Sequence, residues 1–364
     1  MNNAELFVTN FNPRLTGVSA TTAAVLSKQR GLLNVQLVGH HLPGCPPPVG
    51  RWTAILMCRR VPEGRPFSIW HVRRNSEMQL AVIARDVFRL PIRIVFTSAA
   101  QRRHSAWPRW LISRMDAIIA TTREAAGFVQ NVWAVVPHGV DTDRFRPADD
   151  PAAAWRATGY PGDYGIATVG RIRPEKGTDL FVEAMIEALP NLPGATALVI
   201  GQAKSGDAGF LDQLKRKVAQ AGMQDRILFI GEKRSEDIPS LLQGCRALVA
   251  LPRYEGYGLT PLEAMACGLP VIASETGYFR EFIEPQKANA AGRVVPLDDA
   301  LEAARSLVQL LGNQETYEST SRAARERART AFGIMTEVRG INAVYERMWS
   351  GAGNTPSHAD PTVG

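Results

Sequence analysis

The sequence is poor in the features that mark membrane-spanning or secreted proteins. No run of about 18 or more uncharged apolar residues interrupts the 364-residue chain, so no stretch reads as a transmembrane helix. The N-terminus has no basic region followed by an apolar core, which predicts that no secretory signal is present. The few cysteines show no C-x-x-C spacing and predict reduced thiols in a cytoplasmic protein: Cys45, Cys58, Cys245 and Cys267.

Charge is distributed unevenly along the chain. Residues 1–149 carry 19 Lys and Arg against 9 Asp and Glu, a net charge of +10, whereas residues 150–364 carry 23 against 26, a net charge of −3. The excess is mostly arginine, with pairs at Arg59–Arg60, Arg73–Arg74 and Arg102–Arg103. A basic half indicates a polyanionic partner, which could be nucleic acid, an anionic membrane, or a phosphorylated or carboxylated acceptor. A solvated basic surface without a partner remains the alternative.

The first half of the chain alternates short β-type runs with amphipathic helical stretches. The predicted strands are Glu5–Thr9, Asn34–Val38, Thr53–Met57, Ser68–His71, Ile92–Thr97, Asp116–Thr121 and Val132–Val136. The predicted helices are Val18–Arg30, Asn75–Phe88, Trp107–Arg114 and Arg123–Val129. This alternation favours a parallel sheet with right-handed crossovers.

A run rich in Pro, Asp and Ala at Phe145–Ala154 predicts a connection between two domains, 1–149 and 150–335. Predicted strands of the second domain are Tyr164–Val169, Ala197–Gly201, Arg226–Ile230, Ala247–Leu251 and Pro270–Ala273. Its predicted helices are Gly177–Leu189, Phe210–Ala221, Ser235–Gln243, Ala300–Leu311 and Tyr317–Ala331, followed by Thr336–Trp349. The polar tail 351–364 is predicted to be disordered. Two doubly wound α/β domains imply ligands at the carboxyl edges of their sheets.

One stretch combines a glycine loop with a helix start. Glu255, Gly256 and Gly258 precede Thr260-Pro261-Leu262-Glu263. These residues read as a Thr-x-x-Glu capping box in which Thr260 is the N-cap residue and proline takes the first helical position. A helix that begins after a glycine loop offers free N–H groups and a positive dipole end to an anion. Alternatively, Glu263 only caps its helix.

A second motif, GRIRPEKG at 170–177, follows a predicted strand and precedes a predicted helix. Arg171 and Lys176 are therefore expected at the carboxyl edge of the sheet, where a polyphosphate needs two cations. The motif is not a Walker P-loop, because Glu175 stands where the glycine before the lysine is required. It also lacks the G-x-G-x-x-G pattern of dinucleotide-binding turns.

Together these two motifs resemble those of the retaining glycosyltransferases of family 4, and the resemblance covers roughly residues 4–350. It implies the GT-B fold: two Rossmann-like domains facing across a cleft, with a closing helix (336–350) that returns to the first domain. It also implies that Arg171 and Lys176 bind the donor diphosphate, and that Glu255 and Glu263 contact the donor sugar and the ribose. Other implied donor contacts are Gly17, Lys233, Gly256, Tyr257, Gly258, Leu259 and Thr260. No metal or other cofactor is expected.

In the first domain the motifs are weaker. Gly17 lies in the loop Asn12–Val18 at the start of the first helix, where the family places a loop over the donor phosphates; an ordinary turn is the alternative. His71 ends a strand and reads as a buried core histidine rather than a catalyst. Acceptor-side candidates are Arg73, Arg74, Arg102, Arg103 and His104, although family members often carry a histidine where this chain has Ser98-Ala99-Ala100.

The segment Phe96–Ser105 and the following Trp107-Pro108-Arg109-Trp110 are similar to those of bacterial lipopolysaccharide core mannosyltransferases. This resemblance implies GDP-mannose as donor, and an anionic, lipid-linked acceptor of the Kdo–lipid A type. The implied location is the inner face of the cytoplasmic membrane, and no nucleic-acid partner is expected. Two alternatives remain open: a UDP-hexose-dependent transferase for exopolysaccharide or glycolipid, and a non-catalytic module that binds sugar nucleotides or nucleic acid.

Overall fold

The computed structural model describes residues 4–14 and 16–352. The chain divides into two compact units. The first unit takes the chain up to Gly139 and resumes at Ile334, and the second unit is Val140–Gly333. From residue 353 onward, the tail predicted to be disordered lies outside the described residues.

The first unit is built on a six-stranded parallel sheet of order β2-β1-β3-β4-β5-β6. Its strands are β1 Leu6–Asn10, β2 Val35–Gly39, β3 Ser68–Val72, β4 Ile92–Ser98, β5 Ala117–Ala120 and β6 Val132–Val135. The connecting helices are α1 Gly17–Gln29, α2 Arg51–Met57, α3 Asn75–Val82, α4 Ala106–Ser113 and α5 Arg123–Gly127. A π-helical turn, Ile83–Val87, extends α3.

The second unit also has a six-stranded parallel sheet, of order β12-β11-β10-β7-β8-β9. Its strands are β7 Tyr164–Val169, β8 Ala195–Ile200, β9 Ile227–Gly231, β10 Cys245–Ala250, β11 Val271–Ser274 and β12 Gly292–Val295. Its helices are α6 Pro151–Thr158, α7 Thr178–Ala188, α8 Ala208–Gln220, α9 Ile238–Gln243, α10 Leu259–Ala266, α11 Phe279–Ile283, α12 Ala300–Gly312 and α13 Gln314–Thr330.

The last helix, α14 (Ile334–Trp349), belongs to the first unit, as the sequence predicts. It packs beside α1 on one face of the sheet, where Val338 and Tyr345 are buried with Leu26. Gln29 Nε2 donates to Asn342 Oδ1 at 2.7 Å across the two helices. The opposite face of the same sheet is covered by α2, α3 and α4.

Two stretches were predicted wrongly. Thr53–Met57, predicted as a strand, lies within helix α2, because its short apolar run buries only Ala54 and Ile55 on one side and exposes Leu56. The connection predicted at Phe145–Ala154 ends inside helix α6. The Asp150 side chain accepts a hydrogen bond from the Ala153 N–H and Pro151 opens the helix, which is an ordinary N-terminal signal.

The two parallel sheets with helices on both faces confirm the predicted α/β, Rossmann-like architecture. Within the described ranges, every helix is too short or too polar to span a bilayer.

Candidate active site

The site in the second unit forms where two neighbouring strands end. β7 and β10 pair in the sheet, and the loops after them are Gly170–Gly177 and Leu251–Gly258. Gly177 has φ +64°, and a Cβ on it would come within 1.7 Å of the Leu251 carbonyl oxygen. Only glycine permits this approach, which brings the two loops into backbone contact.

The contact places Lys176 against Glu255. Lys176 Nζ lies 2.6 Å from Glu255 Oε2, and both side chains are partly buried. The other carboxylate oxygen, Oε1, accepts a hydrogen bond from the Gly256 N–H at 3.0 Å. Glu255 is therefore held by two donors and presents a fixed hydrogen-bond acceptor.

Arg253 links the same two loops by hydrogen bonds, and it was not identified as a site residue from the sequence. Its guanidinium donates twice to Asp179, at 2.9 and 2.8 Å, and once to Asp298 at 2.6 Å. Its Nη1 also donates to the Pro174 carbonyl at 2.5 Å, and its N–H to the Glu175 carbonyl at 3.0 Å. The bonds to Asp179, more than the opposing effect of burial, raise the Arg253 pKa. The guanidinium thus stays charged and fixes the loop that carries Lys176.

Helix α10 begins differently from the prediction. Its N-cap residue is Gly258, and no side chain caps it, so the capping box at Thr260 and Glu263 is wrong. Gly258 has φ +81°, and a Cβ on it would lie 2.2 Å from the Phe279 ring, so the close packing of the loop moves the helix start to Leu259. The backbone N–H groups of this first turn have no partner within the helix, as at any helix start.

These elements line one pocket of about 190 Å³. The predicted residues that it brings together are Arg171, Lys176, Glu255, Gly258 and Thr260. Elsewhere in the described chain, no side chain makes a hydrogen bond or ion pair with the exposed Arg171 guanidinium.

A neighbouring pocket of about 710 Å³ shares Arg171 and is lined further by Lys204, Glu232 and the predicted Lys233. Three of the other predicted residues, Gly256, Tyr257 and Leu259, belong to the loop and helix start without lining either pocket. Tyr257 stacks on Tyr278 with ring centroids 5.2 Å apart.

Glu263 lies further along α10 and lines neither pocket. Burial raises the pKa of its carboxyl to about 7, against the opposing effect of the Arg144 guanidinium. Arg144, also missed from the sequence, donates to Ser235 Oγ at 2.7 Å. Because this pKa is close to neutral pH, small changes around Glu263 would shift the balance between its neutral and its charged form.

In the first unit, Gly17 opens helix α1 with Thr16 as the N-cap residue. The Arg74 guanidinium makes four hydrogen bonds inside the protein. It donates to Asn10 at 3.1 Å, Thr16 at 3.2 Å, Ser19 at 2.9 Å and Glu77 at 3.0 Å. Arg74 therefore fixes the start of α1, which leaves it few donors for an acceptor.

The other acceptor-side candidates differ in environment. Arg73 Nη1 and His104 Nε2 are buried atoms that no residue in the described parts of the chain hydrogen-bonds, whereas Arg102 and Arg103 are exposed. His71 is the buried core residue that the sequence predicts, with Nδ1 2.5 Å from the Tyr345 hydroxyl and Nε2 2.6 Å from the Thr97 hydroxyl. Burial, reinforced by the Arg73 charge, lowers the His71 pKa well below its usual range.

No group of three or more His, Cys, Asp or Glu side chains that could hold a metal ion occurs in residues 4–14 and 16–352.

Comparison with known proteins agrees with this geometry. The family described as "Glycosyl transferases group 1" matches residues 156–327, which include both loops of the site. The lipopolysaccharide core biosynthesis mannosyltransferase LpsB of Rhizobium meliloti is 40% identical over 94% of this chain and 97% of its own length. This chain belongs to the group 1 glycosyltransferases. A second relative, the lipopolysaccharide core biosynthesis mannosyltransferase LpcC of Rhizobium leguminosarum bv. viciae, is 38% identical over 94% of this chain and 96% of its own length.

Among solved structures, Anabaena HepE, crystallised with UDP and glucose, resembles this glycosyltransferase with a TM-score of 0.75. The match covers 94% of this chain and 99% of HepE at 15% identity, so it bears on the fold alone. These similarities confirm the GT-B fold, the family resemblance and the hexosyltransferase class that the sequence motifs indicate.

Proposed function

We propose that this glycosyltransferase moves mannose from GDP-mannose onto a lipopolysaccharide core acceptor of the Kdo–lipid A type. The observation that carries the proposal is the single pocket where Arg171, Lys176 and the start of α10 meet Glu255. The sugar and the pathway are taken from the relatives that are 40% and 38% identical and nearly the same length.

The chemistry of the pocket suits a nucleoside diphosphate sugar. Arg171 and Lys176 supply two cations and α10 supplies free N–H groups, so together they match the charge of a diphosphate. The larger adjoining pocket, which Arg171 also lines, has room for a base beside Lys204 and Lys233. Glu263 is assigned to the ribose hydroxyls.

The proposed reaction retains the anomeric configuration. The bond from the anomeric carbon to the diphosphate oxygen breaks, and the acceptor oxygen bonds to the same face of that carbon. The acceptor proton passes to the departing diphosphate, whose growing negative charge Arg171, Lys176 and the α10 N-terminus stabilise without a metal. Full activity in EDTA is expected, and a requirement for added Mg²⁺ or Mn²⁺ would contradict this part.

Glu255 is assigned to the donor sugar hydroxyls rather than to nucleophilic attack. Its two oxygens are held by Lys176 at 2.6 Å and by the Gly256 N–H at 3.0 Å, and this fixes the carboxylate as an acceptor for sugar O–H groups. Mass spectrometry of the enzyme during turnover is expected to find no covalent sugar. A glycosyl adduct trapped on Glu255 would contradict the front-face mechanism.

The acceptor is proposed to bind the first unit. Arg73 and His104 each leave a buried nitrogen without a partner in the described chain, and Arg102 and Arg103 are exposed beside His104. An anionic, lipid-linked acceptor would supply oxygens for these donors. Because such an acceptor is embedded in lipid, we place the enzyme at the inner face of the cytoplasmic membrane.

A panel of sugar nucleotides tests the identity of the donor. Purified protein is heated with GDP-mannose, UDP-glucose, UDP-galactose or ADP-glucose, and the unfolding temperature is compared. A donor present at 100 times its dissociation constant stabilises the folded protein by about 2.7 kcal/mol. Selective stabilisation by GDP-mannose is expected. Stabilisation by a UDP-sugar alone would identify that sugar nucleotide, rather than GDP-mannose, as the donor. Stabilisation by none of the four would contradict the assignment of the donor site.

A further inference from the structure

The basic charge of the first unit is concentrated in one segment. Residues 51–114 contain 13 arginines and no lysine, against 3 acidic residues, a net charge of +10. Of these acids, Glu77 is buried, and Asp86 binds Arg85 and Arg114 at 2.7 Å each. Asp116, just beyond the segment, binds Arg85 and Arg93 at 2.6 and 3.1 Å. The excess of positive charge therefore rests on the other exposed arginines, among them Arg59, Arg102, Arg103 and Arg109.

The helices of this segment form a single layer of the first unit, on one face of the sheet that holds β3 and β4. The inner sides of α2, the π-helical turn and α4 pack into one core on the same face of the sheet, through Ile55, Ala84 and Ile112 respectively. Helices α1 and α14 cover the opposite face. The outer sides of α2, the π-helical turn and α4 therefore share one surface, which we call the arginine-aromatic face.

One apolar cluster on this face involves α2 and the π-helical turn. Trp52 is 70% exposed and Val87 67% exposed, and Leu56 and Phe88 are exposed beside them. The Trp52 and Phe88 ring centroids are 6.4 Å apart. Trp52, Leu56, Phe88 and Arg59 also line a cavity of about 400 Å³. Several exposed apolar side chains that adjoin one another on a water-facing surface indicate a binding surface.

A second apolar cluster lies on α4. Trp107 and Trp110 stack with ring centroids 5.1 Å apart and an interplanar angle of 11°, and both indoles are about half exposed. Trp110 lines a pocket of about 620 Å³ together with Arg103 and Arg109. Both clusters therefore combine exposed rings with arginine.

We infer that the arginine-aromatic face docks onto a bilayer that contains anionic lipid, with Trp52 and Phe88 as one anchor and Trp107 and Trp110 as the other. Exposed indoles favour the boundary between headgroups and acyl chains, and each arginine near an anionic surface adds attraction. The charge of the face selects this occupant over a neutral or acidic surface. This inference rests on the proposed lipid-linked acceptor and names the residues that bring the enzyme to it.

Sedimentation with vesicles tests the inference. The full-length protein is mixed with vesicles of phosphatidylglycerol and phosphatidylcholine at low salt, and the bound fraction is measured. The double variants Trp52→Ser/Leu56→Ser and Trp107→Ser/Trp110→Ser are each expected to lower the partition coefficient by about 10-fold or more. Leu301→Ser, on α12 of the second unit and 55% exposed, is the control and is expected to change it by less than about 2-fold.

Charge is tested separately. Arg59→Glu/Arg60→Glu is expected to weaken binding to the anionic vesicles by about 10-fold or more, and added salt is expected to weaken wild-type binding in the same direction. Vesicles of phosphatidylcholine alone are expected to retain little protein. Equal binding to neutral and anionic vesicles would overturn the electrostatic half of the inference.

Activity assays distinguish a failure of the membrane inference from a failure of the proposed function. Each variant is assayed for donor stabilisation and for transfer to an acceptor stripped of its acyl chains, and both are expected to match wild type. Wild-type vesicle binding by both tryptophan variants would overturn the face and leave the transferase proposal intact. Light scattering that shows a dimer dispersed by Trp52→Ser/Leu56→Ser would assign the face to a second copy of the chain and overturn the membrane inference.

Discussion

Lys176 and Glu255 are 79 positions apart in the chain, yet their charged groups meet at 2.6 Å. Each follows a different strand of the same parallel sheet, and the glycine at 177 allows the two loops to touch. The pair couples the cation assigned to the donor diphosphate with the carboxylate assigned to the donor sugar. Phosphate and carboxylate would then compete for the same ammonium group.

We predict that Lys176→Ala and Glu255→Gln each reduce turnover by at least about 10-fold, equivalent to about 1.4 kcal/mol of transition-state stabilisation. The first removes a charge that stabilises the departing diphosphate, and the second weakens an acceptor for sugar hydroxyls. Steady-state kinetics with saturating donor measure both. Lys215→Ala, an exposed lysine on α8, is the control. Wild-type turnover in either site variant would overturn the site assignment.

Gly177→Ala tests the loop contact itself. The added Cβ would lie 1.7 Å from the Leu251 carbonyl oxygen, so the loops must separate. We expect a loss of about 2–4 kcal/mol in the free energy of unfolding, with weakened donor binding. Gly222→Ala is a matched control, because Gly222 has nearly the same φ, +66°, but open space around its Cβ position. Equal losses of unfolding free energy for the two variants in urea denaturation would show that the positive φ, rather than the contact with Leu251, requires glycine at position 177.

Arg253→Met is expected to loosen the donor site without touching the pocket lining. Removing the guanidinium leaves the partly buried Asp179 carboxylate without its bidentate partner. We expect about 1–3 kcal/mol lower stability and a weaker donor affinity. Thermal denaturation and calorimetric titration measure the two effects. Arg280→Met removes an exposed arginine paired only with Glu275 among the described residues, and its effect should be small.

Glu263 gives a pH-dependent prediction. Burial raises its pKa from 4.5 to about 7, so the folded protein binds this proton more tightly than the unfolded chain does. Its contribution to stability is therefore fully present below pH 4.5 and is lost as the pH rises through 7. Glu263→Gln should be more stable than wild type at pH 8, by on the order of 2 kcal/mol, and similar to it near pH 4.5.

Urea unfolding at several pH values measures this difference, with the exposed Glu187→Gln on α7 as control. If Glu263 binds ribose as a carboxylate, donor affinity should also rise as the pH passes through 7 in wild type and stay flat in Glu263→Gln. A difference in unfolding free energy between Glu263→Gln and wild type that does not change with pH would contradict the raised pKa of Glu263.

The sequence predicts the parts of the site that depend on strand order. Arg171 follows β7 and Glu255 follows β10, and the carboxyl ends of adjacent parallel strands necessarily share an edge. The motif residues Arg171, Lys176 and Glu255 therefore reach one pocket, as predicted. The roles of these residues with donor and acceptor stay predictions.

What the sequence does not predict depends on packing between distant residues. Arg253 acts through Asp179, 74 positions away, and no local pattern identifies that partner. Thr260 matches a capping box, but packing of Gly258 on Phe279 starts the helix earlier. Helix α2 contains a short apolar run that suits a strand equally well, and only its single buried side identifies it as helical.

The most direct test is transfer itself. Purified enzyme is incubated with GDP-α-mannose and a Kdo–lipid A acceptor, and the product is analysed by mass spectrometry and by NMR of the new anomeric centre. The account predicts one added hexose with an α linkage. A β linkage would contradict retention, and a product formed from a UDP-hexose but not from GDP-mannose would contradict the proposed donor.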